Sequence, residues 1–308
     1  MWIQSSTTTA LTPTAIALGN FDGVHLGHGE VIRPVLESGT GLVPTVVSFD
    51  PHPLEFFKGE SRQLLTPLEE KAQQLEKLGI QQLILLPFDR ELAALTPQDF
   101  VEKILIHQLQ AQKISVGQDF CFGHQRRGTA EDLQNLAAAW GSQVIINPLK
   151  TLPREESVRI SSSRIRQALA AGELEKVTQM LGRFYLLQGK VILGQQLGQT
   201  IGFPTANLEI SPDKLLPRGG VYAVKAYLEN ALVLDGVVNI GHRPTVGGKS
   251  VTVEVHLLNW SGNLYGQTLE VHLIKFLRPE QKFPSLDALK AQIDQDCHQA
   301  REILGTCL

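Results

Sequence analysis

The chain has 308 residues, 43% of them hydrophobic and 19% charged, with a formal net charge of −3 at pH 7. That length exceeds what one hydrophobic core usually organises and points to two domains, and the composition excludes a disordered chain. The slightly acidic balance excludes a surface built throughout for nucleic acid, whose footprint is basic, so phosphate recognition is expected to be local.

No apolar run is long enough to cross a bilayer, and residues 1–20 lack a charged-then-apolar leader, so a cytoplasmic protein without membrane attachment is expected. Cys121, Cys297 and Cys307 form no C-x-x-C pair and no zinc spacing, which suits unpaired thiols in a reducing compartment.

In chain order, the apolar run Ala15-Ile16-Ala17-Leu18 reads as a strand, followed by the glycine turn Gly19-Asn20-Phe21-Asp22-Gly23-Val24-His25-Leu26-Gly27-His28 and a helical stretch. The glycines let backbone N–H groups approach an anion, and the helix points its positive end there. His25 and His28, three apart, are expected on one helical face toward that anion. The bland alternative is a connecting turn with two packing histidines. Pro34 falls inside the expected helix and removes one backbone donor.

Further strands are expected around Val43–Val47, Leu83–Leu86, Ile114–Val116 and Val144–Ile146, alternating with helices at Pro67–Leu78, Pro97–Leu109 and Ala130–Trp140. Strands separated by helices imply crossovers and a parallel sheet, hence an α/β, Rossmann-like layer. Phe49-Asp50-Pro51-His52-Pro53 and Gly117-Gln118-Asp119-Phe120-Cys121-Phe122-Gly123 follow strands, at the carboxyl edge where open parallel sheets bind ligands. Either could equally be a rigid or solvated loop.

Ile160-Ser161-Ser162-Ser163-Arg164-Ile165-Arg166 opens a helix whose hydroxyls can cap it or donate to phosphate oxygens, with Arg166 on the face of Ser162 and Ser163. Helices at Ser162–Ala171 and Glu173–Leu181, stopped by Gly172 and Gly182, close this half. The boundary is placed so that residues 1–182 and 183–308 form the two domains. Beyond it the helical period disappears. Strands are expected at Leu187–Leu193, Val221–Leu228, Leu232–Ile240, Val251–Leu258 and Leu269–Phe276, with turns at Glu229-Asn230, Gly247-Gly248 and Gly262-Asn263, making a small antiparallel barrel. A helix at Ser285–Leu304 should pack against it.

The glycine loop from Gly194 through Gly198 to Gly202 runs into Phe203-Pro204-Thr205-Ala206-Asn207-Leu208, where Thr205 and Asn207 offer neutral oxygens suited to Mg²⁺ or form an ordinary turn. In Val251-Thr252-Val253-Glu254-Val255-His256-Leu257, Glu254 occupies the face opposite the valines, as a solvated or a working carboxylate.

The phrases at 19–28 and 160–166, with Gly-Phe-Pro-Thr-Ala-Asn-Leu at 202–208, resemble the prokaryotic bifunctional riboflavin kinase/FMN adenylyltransferases (FAD synthetases). The phrases Arg218–Tyr222, Asn239–Thr245, Leu264–Gly266 and Leu277-Arg278 carry the resemblance to the C-terminal helix, and Ser163 replaces the family's usual threonine while keeping its hydroxyl. The resemblance implies a nucleotidylyltransferase domain followed by a riboflavin kinase barrel, converting riboflavin to FMN and FMN to FAD with ATP and Mg²⁺. It implies nucleotide contacts at Gly19, Phe21, Gly27, Ser162, Ser163, Gly194, Gly198 and Gly202, and flavin contacts at Phe49, Pro51, His52, Asp119, Phe120 and Arg278. It makes His25, His28 and Arg166 the adenylyl-transfer residues, Glu254 the general base, and Thr205 and Asn207 the metal ligands.

Relatives usually carry arginines where this chain has Leu197 and Gln199. Each charged hydrogen bond lost is worth about 1.5–3 kcal/mol, so weaker use of ATP by the kinase is expected, roughly ten- to hundredfold. Two other readings stand beside the main one: an adenylyltransferase with a degenerate flavin-binding second domain, and a non-catalytic flavin sensor. Expected partners are riboflavin, FMN and ATP, with no nucleic acid or membrane and at most a weak homo-oligomer.

Overall fold

The computed structural model describes residues 1–152, 155–194, 198, 201–228, 232–245 and 248–305, with backbone alone at 155–157, 242–245 and 248–250. Contacts divide the chain into two compact units, Met1–Ser162 and Ser163–Leu308.

In the first unit β1 (Trp2–Gln4), β2 (Thr14–Leu18), β3 (Val43–Asp50), β4 (Gln82–Pro87), β5 (Ala111–Gly117) and β6 (Gln143–Asn147) form one sheet in the order β1-β4-β3-β2-β5-β6. Every pairing in it is parallel. Alternation sends successive residues to opposite faces, and both faces are covered, which explains why these strands are almost wholly apolar. Ala15, Ala17, Val46, Leu83 and Leu85 pack beneath α1 (Leu26–Leu36) and α3 (Leu68–Lys77). Ile16, Leu18, Val47, Ile84, Ile114 and Val116 pack beneath the helical stretch 100–108 and α6 (Ala130–Ala138).

Helix α1 runs through Pro34 to Leu36. The expected Pro97–Leu109 helix is two pieces, α5 (Pro97–Asp99) and a wider π-helical coil at Phe100–Gln108. The expected loop at His52-Pro53 is instead the start of α2 (Pro53–Lys58): Pro53 is preset for a first helical turn, and His52 caps it. A short α4 (Arg90–Ala94) and a hairpin of β7 (Thr151–Leu152) and β8 (Glu155–Arg159) complete this unit.

Helices α7 (Ser162–Ala171) and α8 (Leu174–Leu181) follow, and Gly182 caps α8 in the left-handed conformation, φ 73°. Strands β9 (Tyr185–Ile192), β10 (Ala206–Ile210), β11 (Gly220–Leu228), β12 (Val233–Thr245), β13 (Gly248–Leu257) and β14 (Thr268–Arg278) close into an antiparallel barrel, ordered β10-β13-β12-β11-β14-β9. The barrel strand not expected from sequence, β10, begins inside the Gly-Phe-Pro-Thr-Ala-Asn-Leu phrase and runs two residues past it, where the turn-forming residues before it mask the extended stretch. Tyr222, Val224, Val238, Val253 and Val255 fill the barrel. The opposite face, through Val221, Ala223 and Val237, is covered by Cys297, Ala300 and Leu304 of α9 (Leu286–Gly305). Burial there pushes the Cys297 thiol up to about 11. The turn residues Glu229, Asn230 and Gly247, with Cys307, lie outside the described residues.

Candidate functional sites

At the C-terminal end of β2 the turn 19–25 takes an unusual path, with Phe21 at φ 51° and Val24 at φ 39°, a region costly for residues carrying a Cβ. Side chains distant in sequence hold it. The Asn20 carbonyl accepts from Ser48 Oγ and Lys71 Nζ, both at 3.1 Å. Asp22 Oδ1 accepts the Leu65 and Thr66 amides at 2.8 and 3.3 Å, and Gly23 N donates to Thr66 Oγ1 at 2.9 Å.

His25 is not on the helix face; it is the N-cap of α1, with its ring packed flat on His28, centroids 3.5 Å apart and planes 11° apart. Each Nδ1 accepts the other residue's backbone N–H, at 3.1 and 3.3 Å. A neutral imidazole whose Nδ1 accepts carries its proton on Nε2, so both rings are set as Nε2–H donors. Gly27 permits the stack, since a Cβ there would sit 3.1 Å from His25 Cε1 and Nδ1.

Phe21 is 1% exposed and belongs to the core, so any nucleotide contact it makes is through its backbone, beside Gly19. Ser162 Oγ donates to the Asp22 carbonyl at 2.8 Å. Its proton therefore serves the turn, and its oxygen keeps only acceptor capacity toward a ligand. Ser163 and Arg166 follow in α7, within the second compact unit.

Of the expected flavin residues, Phe49 meets Phe88 edge-on with centroids 5.8 Å apart, and Phe88 also meets Phe56 and Phe57. Phe57 is 70% exposed, an aromatic surface beside Phe88 that sequence reasoning did not single out. His52 Nδ1 accepts the Leu54 amide at 3.1 Å, while burial, then the Arg62 charge, lowers its pKa. Asp119 is ion-paired with Arg159, and Phe120 stacks on Phe122. Two buried polar atoms near these motifs, Asn20 Oδ1 and Arg159 Nε, have no hydrogen-bond partner among the described residues, as expected where a polar ligand completes the site.

In the barrel, Asn207 and Glu254 are register partners across β10 and β13, and Glu254 and Asn239 are partners across β13 and β12. Direct antiparallel partners have Cβ atoms about 4.5–5.5 Å apart on one face, so a carboxylate is flanked by two amides. Asn239 stood in a quoted phrase without a role; only strand pairing reveals it. A Cβ on Gly194 would overlap the Asn207 amide at 2.1 Å, and one on Gly198 would meet the Phe203 carbonyl at 2.3 Å and Thr205 Oγ1 at 3.3 Å. Gly202 takes φ +90°. Gly194 and Gly198 thus make room for the Asn207 amide and the Thr205 hydroxyl, whose oxygens are a donor set that fits a hard cation sharing its shell with phosphate. His256 Nδ1 donates to the Pro204 carbonyl at 2.8 Å and anchors that turn to the Glu254 strand. Leu197 and Gln199 lie outside the described residues.

Arg278, expected at the flavin, is committed elsewhere: its Nε and Nη2 donate to the Asp296 carboxylate at 2.8–3.1 Å and its Nη1 to the Pro279 carbonyl at 3.1 Å. It ties β14 to α9.

Among the described residues no helix is long and apolar enough to cross a membrane. The sequence model described as FAD synthetase matches residues 7–164, and that described as riboflavin kinase matches 181–304. The chain is 40% identical over 295 residues to a bifunctional riboflavin kinase/FMN adenylyltransferase of Haemophilus influenzae, covering 95% of this chain and 94% of that one. The Escherichia coli K12 protein of that name is 42% identical, covering 94% and 92%, and the Bacillus subtilis one 36%, covering 93% and 91%. A crystal structure from Streptococcus pneumoniae described as a macrolide-efflux protein superposes with a TM-score of 0.87 at 30% identity, covering 97% of this chain and 98% of that one.

Proposed function

The chain belongs to the bifunctional riboflavin kinase/FMN adenylyltransferase family, and from that premise we propose which of its residues carry each reaction. The protein phosphorylates riboflavin to FMN and adenylylates FMN to FAD, with ATP as substrate of both steps. The boundary between the two catalytic domains is put at 182/183, so that Ser162, Ser163 and Arg166 belong with the adenylyl-transfer site.

In FAD synthesis an FMN phosphate oxygen attacks the α-phosphorus of ATP and pyrophosphate leaves. No side chain need act as nucleophile; positioning and charge stabilisation supply the rate. The observation that carries this assignment is the reciprocal capping of His25 and His28, which presets two Nε2–H donors before any phosphate arrives. Such preorganised donors stabilise charge that moves onto phosphate oxygens without paying for reorientation. Gly19, Phe21 and Gly27 shape the backbone cradle, Ser162 braces it through Asp22, and Ser163 and Arg166 contact the phosphates, Arg166 offsetting charge on the leaving pyrophosphate. Phe49, Pro51, His52, Asp119 and Phe120 border the flavin.

In the kinase reaction Glu254 takes the proton of the ribityl 5′-hydroxyl as that oxygen attacks the γ-phosphorus, the bond to the β,γ-bridging oxygen breaks and ADP leaves. Gly194, Gly198 and Gly202 admit the ATP phosphates. Thr205 and Asn207 would hold Mg²⁺, which when bound supplies positive charge against those phosphates.

The test incubates purified protein with riboflavin, ATP and Mg²⁺ and separates FMN from FAD over time. Both products should form in sequence. His28→Ala should abolish FAD formation while FMN still accumulates; retention of wild-type FAD synthesis by that variant would overturn the assignment.

A further inference from the structure

Lys71 belongs to none of the motifs, yet it is 7% exposed and its Nζ donates to the Asn20 carbonyl at 3.1 Å, inside the turn that carries Phe21 and leads to His25. A lysine buried to this degree is rare without a specific partner, because its charge loses hydration. Burial lowers its pKa, while the Asp22 and Asp50 carboxylates oppose that shift. Asp22 stands in the turn itself and Asp50 ends β3, directly before Pro51 and His52. Lys71 therefore sits between two anions at the edge of a site that must admit a third, the polyphosphate.

The turn depends on such support. Phe21 and Val24 hold positive φ values, and the backbone around them is held by the segment Leu65 to Lys71 (the Leu65 and Thr66 amides on Asp22, Thr66 Oγ1 on Gly23, and Lys71 on Asn20) together with Ser48 Oγ on the Asn20 carbonyl and Ser162 Oγ on the Asp22 carbonyl. Of these groups, Lys71 brings a positive charge.

We propose that Lys71 is a positioning residue for adenylyl transfer: its ammonium pins the Asn20 carbonyl and offsets Asp22 and Asp50, so that the turn 19–28 accepts ATP. This rests on the reading that the turn holds ATP. The carbonyl, once fixed, sets the path of the backbone into His25, and the positive charge cancels repulsion between the two carboxylates and the incoming phosphates. Loss of the ammonium should therefore weaken ATP capture more than it slows the transfer step.

The direction with pH follows. Burial lowers the Lys71 pKa, so its ammonium loses its proton at a lower pH than an ordinary lysine, and ATP capture should fall as pH rises through that lowered value. The charged and titratable groups that share this region are Asp22, Asp50, His52, Glu55 and Arg62. Carboxylates and imidazoles ordinarily titrate on the acid side of lysines and guanidinium groups above them, so a fall on the alkaline side is the one expected of a lysine.

The whole chain is assayed for FAD formation from FMN, with thermal unfolding of the same preparation reporting that the first unit is folded. Lys71→Met is expected to raise KM for ATP about tenfold or more, with a smaller change in kcat. Lys71→Arg, charged at every pH used, should bring KM back toward wild type and remove the alkaline fall in kcat/KM. Wild-type KM for ATP in Lys71→Met, or an alkaline fall that persists unchanged in Lys71→Arg, overturns the proposal. His28→Ala separates the two readings: if it abolishes FAD formation while both Lys71 variants behave as wild type, only the role of Lys71 fails.

Discussion

Asn207 and Glu254 face one another across β10 and β13, residues from two phrases 47 positions apart brought into direct register by the closing of the barrel. Their pairing places the residue assigned to the metal beside the residue assigned to the proton, an arrangement in which one hydroxyl can meet both. Glu254→Gln keeps the size of the side chain and removes its basicity. Riboflavin phosphorylation should fall by about 10²–10⁴-fold, the usual worth of a general base, while FAD formation from supplied FMN is unchanged. Separate assays of the two steps check this.

His25 performs two tasks, capping α1 and contributing an imidazole, and a substitution can separate them. Asn is among the best N-cap residues, so His25→Asn should cost well under the roughly 1 kcal/mol that losing a cap costs. FAD synthesis should nevertheless drop by about 10²-fold or more, since an Nε2–H donor is gone. Thermal unfolding and FAD formation, measured on one sample, distinguish the two contributions.

Arg278 and Asp296 form a bidentate pair with side chains only 17% and 3% exposed. Removing one partner of a buried pair leaves the other uncompensated, at a cost of about 3–5 kcal/mol. Asp296→Ala should therefore lower the denaturant midpoint of the second unit markedly. If Arg278 serves the barrel rather than the ligand, KM for riboflavin stays near wild type in whatever fraction remains folded.

His52 caps α2 in a buried position that depresses its pKa. The unfolded chain then binds a proton more readily than the native one, so the stability His52 contributes is present above its unfolded value and is lost as pH falls below about 6.5. His52→Asn preserves a cap without a titrating group. Melting temperature followed from pH 7.5 down to about 5 should decline less steeply in the variant.

From the resemblance, arginines are expected in the kinase glycine loop at the positions filled here by Leu197 and Gln199. Leu197→Arg combined with Gln199→Arg should lower KM for ATP in riboflavin phosphorylation by about tenfold or more. An unchanged KM and kcat would overturn this expectation.

Much of the molecule was legible before folding. The alternation of apolar runs with helical periods gave the parallel layer, and the turn-punctuated second half gave the barrel, because periodicity reflects which face of each element is buried. The two phrases assigned to ligands could be picked out because the chemistry proposed for a helix N-terminus or glycine turn is written in contiguous residues. Where local signals conflicted, sequence reading erred: His52-Pro53 looked like a stiff loop but begins α2, and no strand was expected at Ala206–Leu208, which enters β10. Arg278 was placed by its phrase at the flavin, and its committed partner, Asp296, lies on a helix eighteen residues later.

What sequence alone determined is therefore the pair of domains, the two reactions and the residues that lie within each signature. Tertiary structure decided which distant groups support them. Lys71 is an ordinary polar position in an amphipathic helix until α3 packs under the turn, and Asn239 has no evident task until β12 pairs with β13. The reason is physical: local backbone conformation follows from neighbouring residues, whereas the partner of a buried charge or amide depends on which strands and helices come together.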